Sequence, residues 1–276
     1  MRRKSISKVS SPKATAGGGS SSPMLIEERR LHILALAQQH GRVLVEDLSE
    51  TLGISRITIR KDLDSLQRRG ALQRTHGGAL LPQSGTLFDP SLKEKERRHS
   101  QEKQRISAAA VKLVQEGQCV LLDSGTTTTA IAHALKKFRR LTIITNAVNI
   151  AAELSGTDFE VILTGGSLRK NSFSLVGPLA EEMLRDMHAD ILFLGVDGFD
   201  LDAGLTTPNV MESRVNRAMV KASTNVVAVC DSTKFNRRSL SKIVDATSVH
   251  HVITDSNLPK ATAEALRNLK IKLTLV

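Results

Sequence analysis

From Cys119 to the C-terminus the chain alternates short apolar runs with amphipathic stretches, and this pattern constrains the fold more than any other feature. Cys119–Asp123, Leu141–Thr145, Phe159–Leu163, Ile191–Val196, Asn225–Cys230, His251–Thr254 and Ile271–Val276 read as strands. Helical patterns follow several of them, among them a segment ending at Leu135, Glu212 to about Ala222, and Ala261–Leu269. Strands separated by helices imply an α/β domain built on a mainly parallel sheet. No fixed-period repeat runs through it.

Such sheets bind ligands at the carboxyl ends of their strands. Here those ends carry Asp123-Ser124-Gly125-Thr126-Thr127-Thr128, Thr145-Asn146, Gly165-Gly166, Asp197-Gly198 and Asp231-Ser232-Thr233-Lys234. The first cluster is the sharpest. It lies between a strand and a helix N-terminus, where free backbone N–H groups and the helix dipole favour a phosphate. Taken alone, the threonine run reads equally well as a helix cap. With the other clusters it points to a small polyhydroxylated anion. Neither GxxxxGK[ST] nor GxGxxG occurs, so nucleotide hydrolysis and dinucleotide binding have no support.

The N-terminal third follows a different plan. A helix opens near Met24, carries Ile26, Ile33, Leu34 and Ala37 at helical spacing, and stops at Gly41. A short helix fits Val45–Leu52. After Gly53, Ser55 caps a third helix from Arg56 to about Arg69, with Ile59, Leu63 and Leu66 as its buried stripe and Gly70 as its stop. Two helices joined by a glycine turn, the second opening on polar and basic residues, form a helix-turn-helix plan whose second helix reads the major groove. Ala71–Leu81 reads as a hairpin around Gly77-Gly78, the wing of a winged helix, with Arg74 and His76 near phosphates.

Composition narrows the function classes. The 276 residues suit two domains, and no apolar run is long enough for a membrane helix. Two cysteines, Cys119 and Cys230, do not make a disulfide scaffold or a zinc module; they suit inert core thiols in a reducing cytoplasm. No His, Cys or acid cluster has metal spacing, and no metal or cofactor is expected. With no Trp or Tyr and seven Phe, recognition of single strands by stacking is disfavoured. The net charge is +11; residues 1–23 hold five cations and no acid, and read as a disordered basic tail. Pro82 to about Arg98 reads as a connector, and its run Lys93-Glu94-Lys95-Glu96-Arg97-Arg98 as a solvated helix face. The expected organisation is a tail 1–23, a winged helix-turn-helix 24–82, a linker 83–98 and an α/β domain 99–276.

The run Ile54-Ser55-Arg56-Ile57-Thr58-Ile59-Arg60-Lys61-Asp62-Leu63, followed by Arg74-Thr75-His76-Gly77-Gly78-Ala79, resembles the DNA-binding domain of the DeoR/GlpR family of bacterial sugar-metabolism regulators. The family's Thr-Ile-Arg-x-Asp-Leu core and Arg-x-His-Gly-Gly-Ala wing are both present without a gap. The resemblance implies that Ser55, Arg56, Thr58, Arg60 and Lys61 face DNA. Downstream, Asp-Ser-Gly-Thr-Thr-Thr, Thr-Asn, Leu-Thr-Gly-Gly, Gly-Val-Asp-Gly, Gly-Leu-Thr-Thr-Pro-Asn and Asp-Ser-Thr-Lys-Phe resemble the family's sensor domain, in family order. Asp231–Arg237 is further similar to the subgroup controlling amino-sugar and galactitol use. The sensor fold resembles ribose-5-phosphate isomerase. These resemblances imply a cytoplasmic, homo-oligomeric repressor of a sugar-catabolism operon, released from double-stranded operator DNA by a phosphorylated sugar.

The rival is an enzyme, a sugar-phosphate isomerase or deaminase. Asp197-Gly198-Phe199-Asp200 and Glu212 look like the isomerase's catalytic acids. Enediolate chemistry also needs a stabilising cation. The isomerase supplies a lysine between those acids, and here Leu201–Pro208 contains none. The expectation is therefore a regulator in which Asp123–Thr128, Thr145, Asn146, Gly165, Gly166, Asp197, Gly198, Glu212, Asp231 and Lys234 surround the effector.

Overall fold

The computed structural model describes residues 25–40, 42–68, 71–75, 77–80 and 86–276. The 1–23 tail, Met24, Gly41, Arg69, Gly70, His76, Pro82 and Gly85, which carried expectations above, lie outside the described residues.

The N-terminal unit runs α1 (Ile26–His40), β1 (Arg42–Leu44), α2 (Val45–Leu52), α3 (Arg56–Arg68), β2 (Gln73–Thr75) and β3 (Gly78–Leu80). Ile33 and Ala37, Leu48, and Ile59, Leu63 and Leu66 bring the three helices onto one core with Val43, Leu72 and Ala79. Ile26 does not join this stripe; it is 57% exposed. Gly53 ends α2 at φ +63°, a left-handed cap that favours glycine, and so sets the turn into α3. The wing has three strands rather than two, in the order β1-β3-β2. Gly78 belongs to β3, not to the turn, pairing with Thr75 and Leu44. A Cβ there would lie 2.2 Å from the Val43 carbonyl oxygen, so the close approach of β1 and β3 requires glycine.

The remainder runs α4 (Leu92–Glu96), α5 (Ser100–Ala110), β4 (Cys119–Leu122), α6 (Thr126–Leu135), β5 (Thr142–Thr145), α7 (Val148–Leu154), β6 (Glu160–Leu163), β7 (Ser167–Arg169), β8 (Ser174–Val176), α8 (Pro178–Arg185), β9 (Ala189–Leu194), β10 (Gly198–Asp200), β11 (Gly204–Thr207), α9 (Val210–Lys221), β12 (Ser223–Val229), β13 (Ser241–Val244), β14 (His251–Thr254), α10 (Lys260–Asn268) and β15 (Lys272–Leu275). Seven strands form one parallel sheet in the order β15-β14-β12-β9-β4-β5-β6. Successive strand residues face opposite layers. Val120 and Leu122 pack with Ile106, Ile131, Leu135 and Ile150 of α5, α6 and α7. Leu121, Leu192 and Leu194 pack with Leu184, Val215, Met219 and Leu266 of α8, α9 and α10. The strand order reverses between β4 and β9, which opens a crevice at their carboxyl ends. The hairpin β7–β8 and the antiparallel sheet β10-β11-β13, both unforeseen, decorate this end. Their strands are three or four residues long, too short to show a period.

Candidate functional site

A cavity of about 410 Å³ fills the crevice at the β4/β9 reversal. Asp123, Ser124, Gly125, Thr126, Thr127, Thr128, Asp197, Glu212, Asp231 and Lys234 all line it. Its floor is the start of α6, whose first N–H groups lack intrahelical partners and carry the positive end of the dipole. The Thr128 and Thr129 hydroxyls turn back to donate to the Gly125 carbonyl at 3.0 and 2.6 Å. Ser124, Thr126 and Thr127 supply the remaining hydroxyls of this loop.

The other expected residues do not reach the cavity. Thr145 is buried, donating to the Leu122 carbonyl at 2.8 Å and accepting from the Ala147 N–H at 3.1 Å. Asn146 donates to the Leu175 carbonyl at 3.2 Å. Gly165 sits below Leu179, and a Cβ on Gly166 would lie 2.5 Å from the Val176 carbonyl oxygen. Gly198 lets β10 approach Arg237, whose carbonyl oxygen would be 2.5 Å from an added Cβ. These five positions hold the strand ends and the decorating sheets in place.

Four carboxylates share the cavity with different partners. Asp123 is 2% exposed and accepts from the Gly195 N–H at 3.2 Å. Asn216, with its amide nitrogen turned to suit its neighbours, donates to Asp123 Oδ1 at 3.2 Å. Burial, then the facing Glu212 charge, push the Asp123 carboxyl well above the usual carboxylate range. Glu212 Oε1 accepts from Arg169 Nη1 at 3.0 Å, Ser172 Oγ at 2.5 Å and Ser174 Oγ at 2.8 Å. Asp231 caps the turn at Ser232–Lys234, accepting from the Thr233 N–H at 3.1 Å. Asp197 pairs with Lys95 Nζ at 2.7 Å. Burial would raise its pKa, but Lys95 and then Lys234 hold it below the ordinary value.

The roof comes from the segment expected to be a solvated connector. Phe88, Pro90, Leu92, Lys95, Arg98 and His99 line the cavity, as does Lys103 of α5. Lys95 therefore points into the site, not into solvent. Arg169 of β7 holds this strap, pairing with both Asp89 and Glu212. Asn171 donates to the Asp89 carbonyl at 2.9 Å, and the Leu92 N–H donates to the Asn171 carbonyl at 2.8 Å. Lys103 is 7% exposed and donates to the carbonyls of Lys95 and Arg98, capping α4. Burial lowers its pKa to about 8. The Ser91-x-x-Glu94 capping box of α4 was the one local sign that this stretch is ordered. Nothing local pairs it with Asp197 or Arg169. A cation thus stands beside Asp197 although none lies between Asp197 and Glu212 in sequence. Glu212 lines the cavity with its Oε1 tied to Arg169 and two serines.

On the N-terminal unit the expected DNA-facing residues divide. Arg60 and Lys61 are exposed and make no ion pair among the described residues. Ser55 caps α3, its Oγ accepting from the Thr58 N–H at 3.3 Å and lying 2.9 Å from Thr58 Oγ1. Arg56 reaches Glu46 at 3.2 Å, with both side chains exposed. Arg74 turns inward, to Asp64 at 3.1 Å and to the Gly78 carbonyl at 3.1 Å, and so braces the wing against α3. Asp62 is 2% exposed and accepts from Arg29 at 2.6 Å and Arg30 at 3.0 Å, clamping α1 to α3.

Among the described residues no helix is long and apolar enough to cross a membrane, and no three His, Cys, Asp or Glu cluster to hold a metal. Residues 29–85 match the DeoR-like helix-turn-helix domain and residues 98–256 the DeoR C terminal sensor domain. A protein of Escherichia coli O157:H7 named for transcriptional repression of the aga operon is 41% identical over 90% of this chain and 93% of its own length. The glycerol-3-phosphate regulon repressor of Escherichia coli K12 is 32% identical over 90% of this chain and 98% of its own. Ribose 5-phosphate isomerase A of Methanocaldococcus jannaschii aligns over 48% of this chain and 53% of its own at 15% identity, with a TM-score of 0.36. By the two matched domains and the full-length relatives, the chain belongs to the DeoR family and is a DNA-binding transcriptional regulator, not an enzyme.

Proposed function

We propose that the chain is a repressor whose operator affinity is lowered by a phosphorylated sugar bound at the β4/β9 crevice. One observation carries this reading. Lys234 lines the same cavity as the first turn of α6; its backbone N–H donates to the Asp231 carbonyl, but among the described residues its ammonium has no hydrogen-bond or ion-pair contact. A half-buried unpaired ammonium beside a helix N-terminus is the arrangement a dianion completes. The cavity's carboxylates serve hydroxyls or an ammonium elsewhere on the ligand. The glycerol-3-phosphate named for one relative's regulon is a phosphate ester of the same chemical class.

The strap supplies the coupling. It joins the helix-turn-helix to the sensor and forms the cavity roof, so a ligand that displaces Lys95 from Asp197 moves the connection to DNA. A 100-fold drop in operator affinity requires about 2.7 kcal/mol of coupling. In this reading the DNA-binding unit spans 24–82, the linker 83–98 and the sensor 99–276. The protein works in the cytoplasm as a homo-oligomer, because a single winged helix has little reach on an operator; light scattering of the full chain reads its mass.

Calorimetry of the full chain with matched sugars and sugar phosphates tests the site. Only the phosphorylated ligand should bind, and the Thr126→Ala, Thr127→Ala double variant should lose affinity. Equal binding of the free sugar, or undiminished affinity in that variant, removes the phosphate from this account.

A further inference from the structure

Ile57 is 66% exposed on α3, in the helix's first turn. At about 100° per residue it lies roughly 200° from Ile59, diametrically opposite the stripe of Ile59, Asp62, Leu63 and Leu66 that faces the core. The crest it occupies continues through Arg60 and Lys61 at i+3 and i+4, both exposed. Its polar neighbours are otherwise engaged: Ser55 and Thr58 bond each other, and Arg56 reaches sideways to Glu46. The outermost side chain of the helix's N-terminal turn is thus apolar and rimmed by cations.

An apolar protein surface is a poor occupant for this crest, since covering Ile57 would also desolvate Arg60 and Lys61. DNA suits both features. The N-terminal turn of a recognition helix meets base edges while flanking cations meet phosphates or guanine. Among major-groove groups the thymine C5-methyl is the apolar one. We propose that Ile57 is a specificity-determining residue that packs on the C5-methyl of one operator thymine in each half-site.

Replacing thymine by deoxyuridine removes that methyl and leaves base pairing intact. A duplex selected from a randomised pool by the full-length protein serves as probe, with each thymine replaced singly. The wild type should lose about three- to fivefold in affinity at one thymine per half-site, the worth of one buried methyl. Ile57→Ala should lose a comparable factor on the parent duplex and ignore that replacement. Arg60→Ala should bind less tightly yet keep the thymine dependence. Ile57 is exposed and lies outside the helical core, so its variant should fold, and an unchanged melting temperature verifies this. Wild-type affinity in Ile57→Ala overturns the proposal. So does a wild type indifferent to every replacement, which would place Ile57 against sugar or protein instead.

Discussion

Lys95 Nζ stands 2.7 Å from Asp197, and this contact joins the strap leading from the DNA-binding unit to the carboxyl end of β9. Burial disfavours the Lys95 ammonium, yet Asp197, with Glu212 and Asp123 behind it, carries its pKa above the ordinary lysine value. The pair is held charged at neutral pH and stands where a ligand hydroxyl or phosphate would compete for either partner.

Lys95→Ala should destabilise the sensor by about 1–2 kcal/mol, because Asp197, with little solvent contact, loses the cation that does most to hold its carboxylate charged against burial. The same variant should shrink the difference in operator affinity with and without ligand. Thermal melting and a DNA-shift titration read the two effects. A variant with normal stability and a full ligand response would show that the strap does not sense the cavity through Lys95.

Lys103 provides a pH test. Burial lowers its folded pKa to about 8, whereas the unfolded value is about 10.4. The unfolded chain therefore binds more protons between these values, so this residue penalises folding below pH 8 and the penalty is relieved as pH rises toward 10. Relative to Lys103→Met, wild-type stability should increase over that window. Affinity for a phosphorylated ligand should fall over the same interval as the cavity loses a cation, and Lys103→Met should flatten the profile. Parallel profiles for the two proteins would exclude Lys103 from both effects.

Asp62→Ala should destabilise the N-terminal unit by about 3 kcal/mol, since it leaves Arg29 without its buried partner and frees Arg30. Hydrogen exchange should quicken over α1 and α3 while the parallel sheet keeps its protection. Uniformly raised exchange across the chain would instead mean that the two units unfold together.

Gly78→Ala should disrupt the wing, because the added methyl would meet the Val43 carbonyl at 2.2 Å. Operator affinity should drop by more than about tenfold, the cost of losing a wing contact together with its register on α3. Calorimetric affinity for the sugar phosphate should stay at the wild-type value.

The motifs with short reach were legible in the sequence. The boundaries of α2, the Ser55 cap and the Ile59–Leu63–Leu66 stripe follow from local periodicity and capping chemistry. The parallel strands were legible because they centre on short apolar runs, buried on both faces through most of β4, β5, β9 and β14. Asp62, by contrast, stood in the sequence only as a member of the Thr-Ile-Arg-x-Asp-Leu run, and its position beside Ile59 and Leu63 on the buried stripe was the available clue to its clamp on α1.

The chain's sequence by itself determined the helix-turn-helix, the alternating α/β plan and the polar strand ends, because each depends on residues within a turn or a strand of one another. Tertiary structure alone decided which polar ends share one cavity. It kept Asp123, Asp197, Glu212 and Asp231 together and set Thr145, Asn146, Gly165, Gly166 and Gly198 aside, since the strand order reverses only between β4 and β9. It also turned a charged connector into a roof, through contacts such as Asp89 with Arg169, 80 residues apart. No periodicity records such a pairing; it exists because the folded sheet brings two distant backbone segments within reach of one guanidinium.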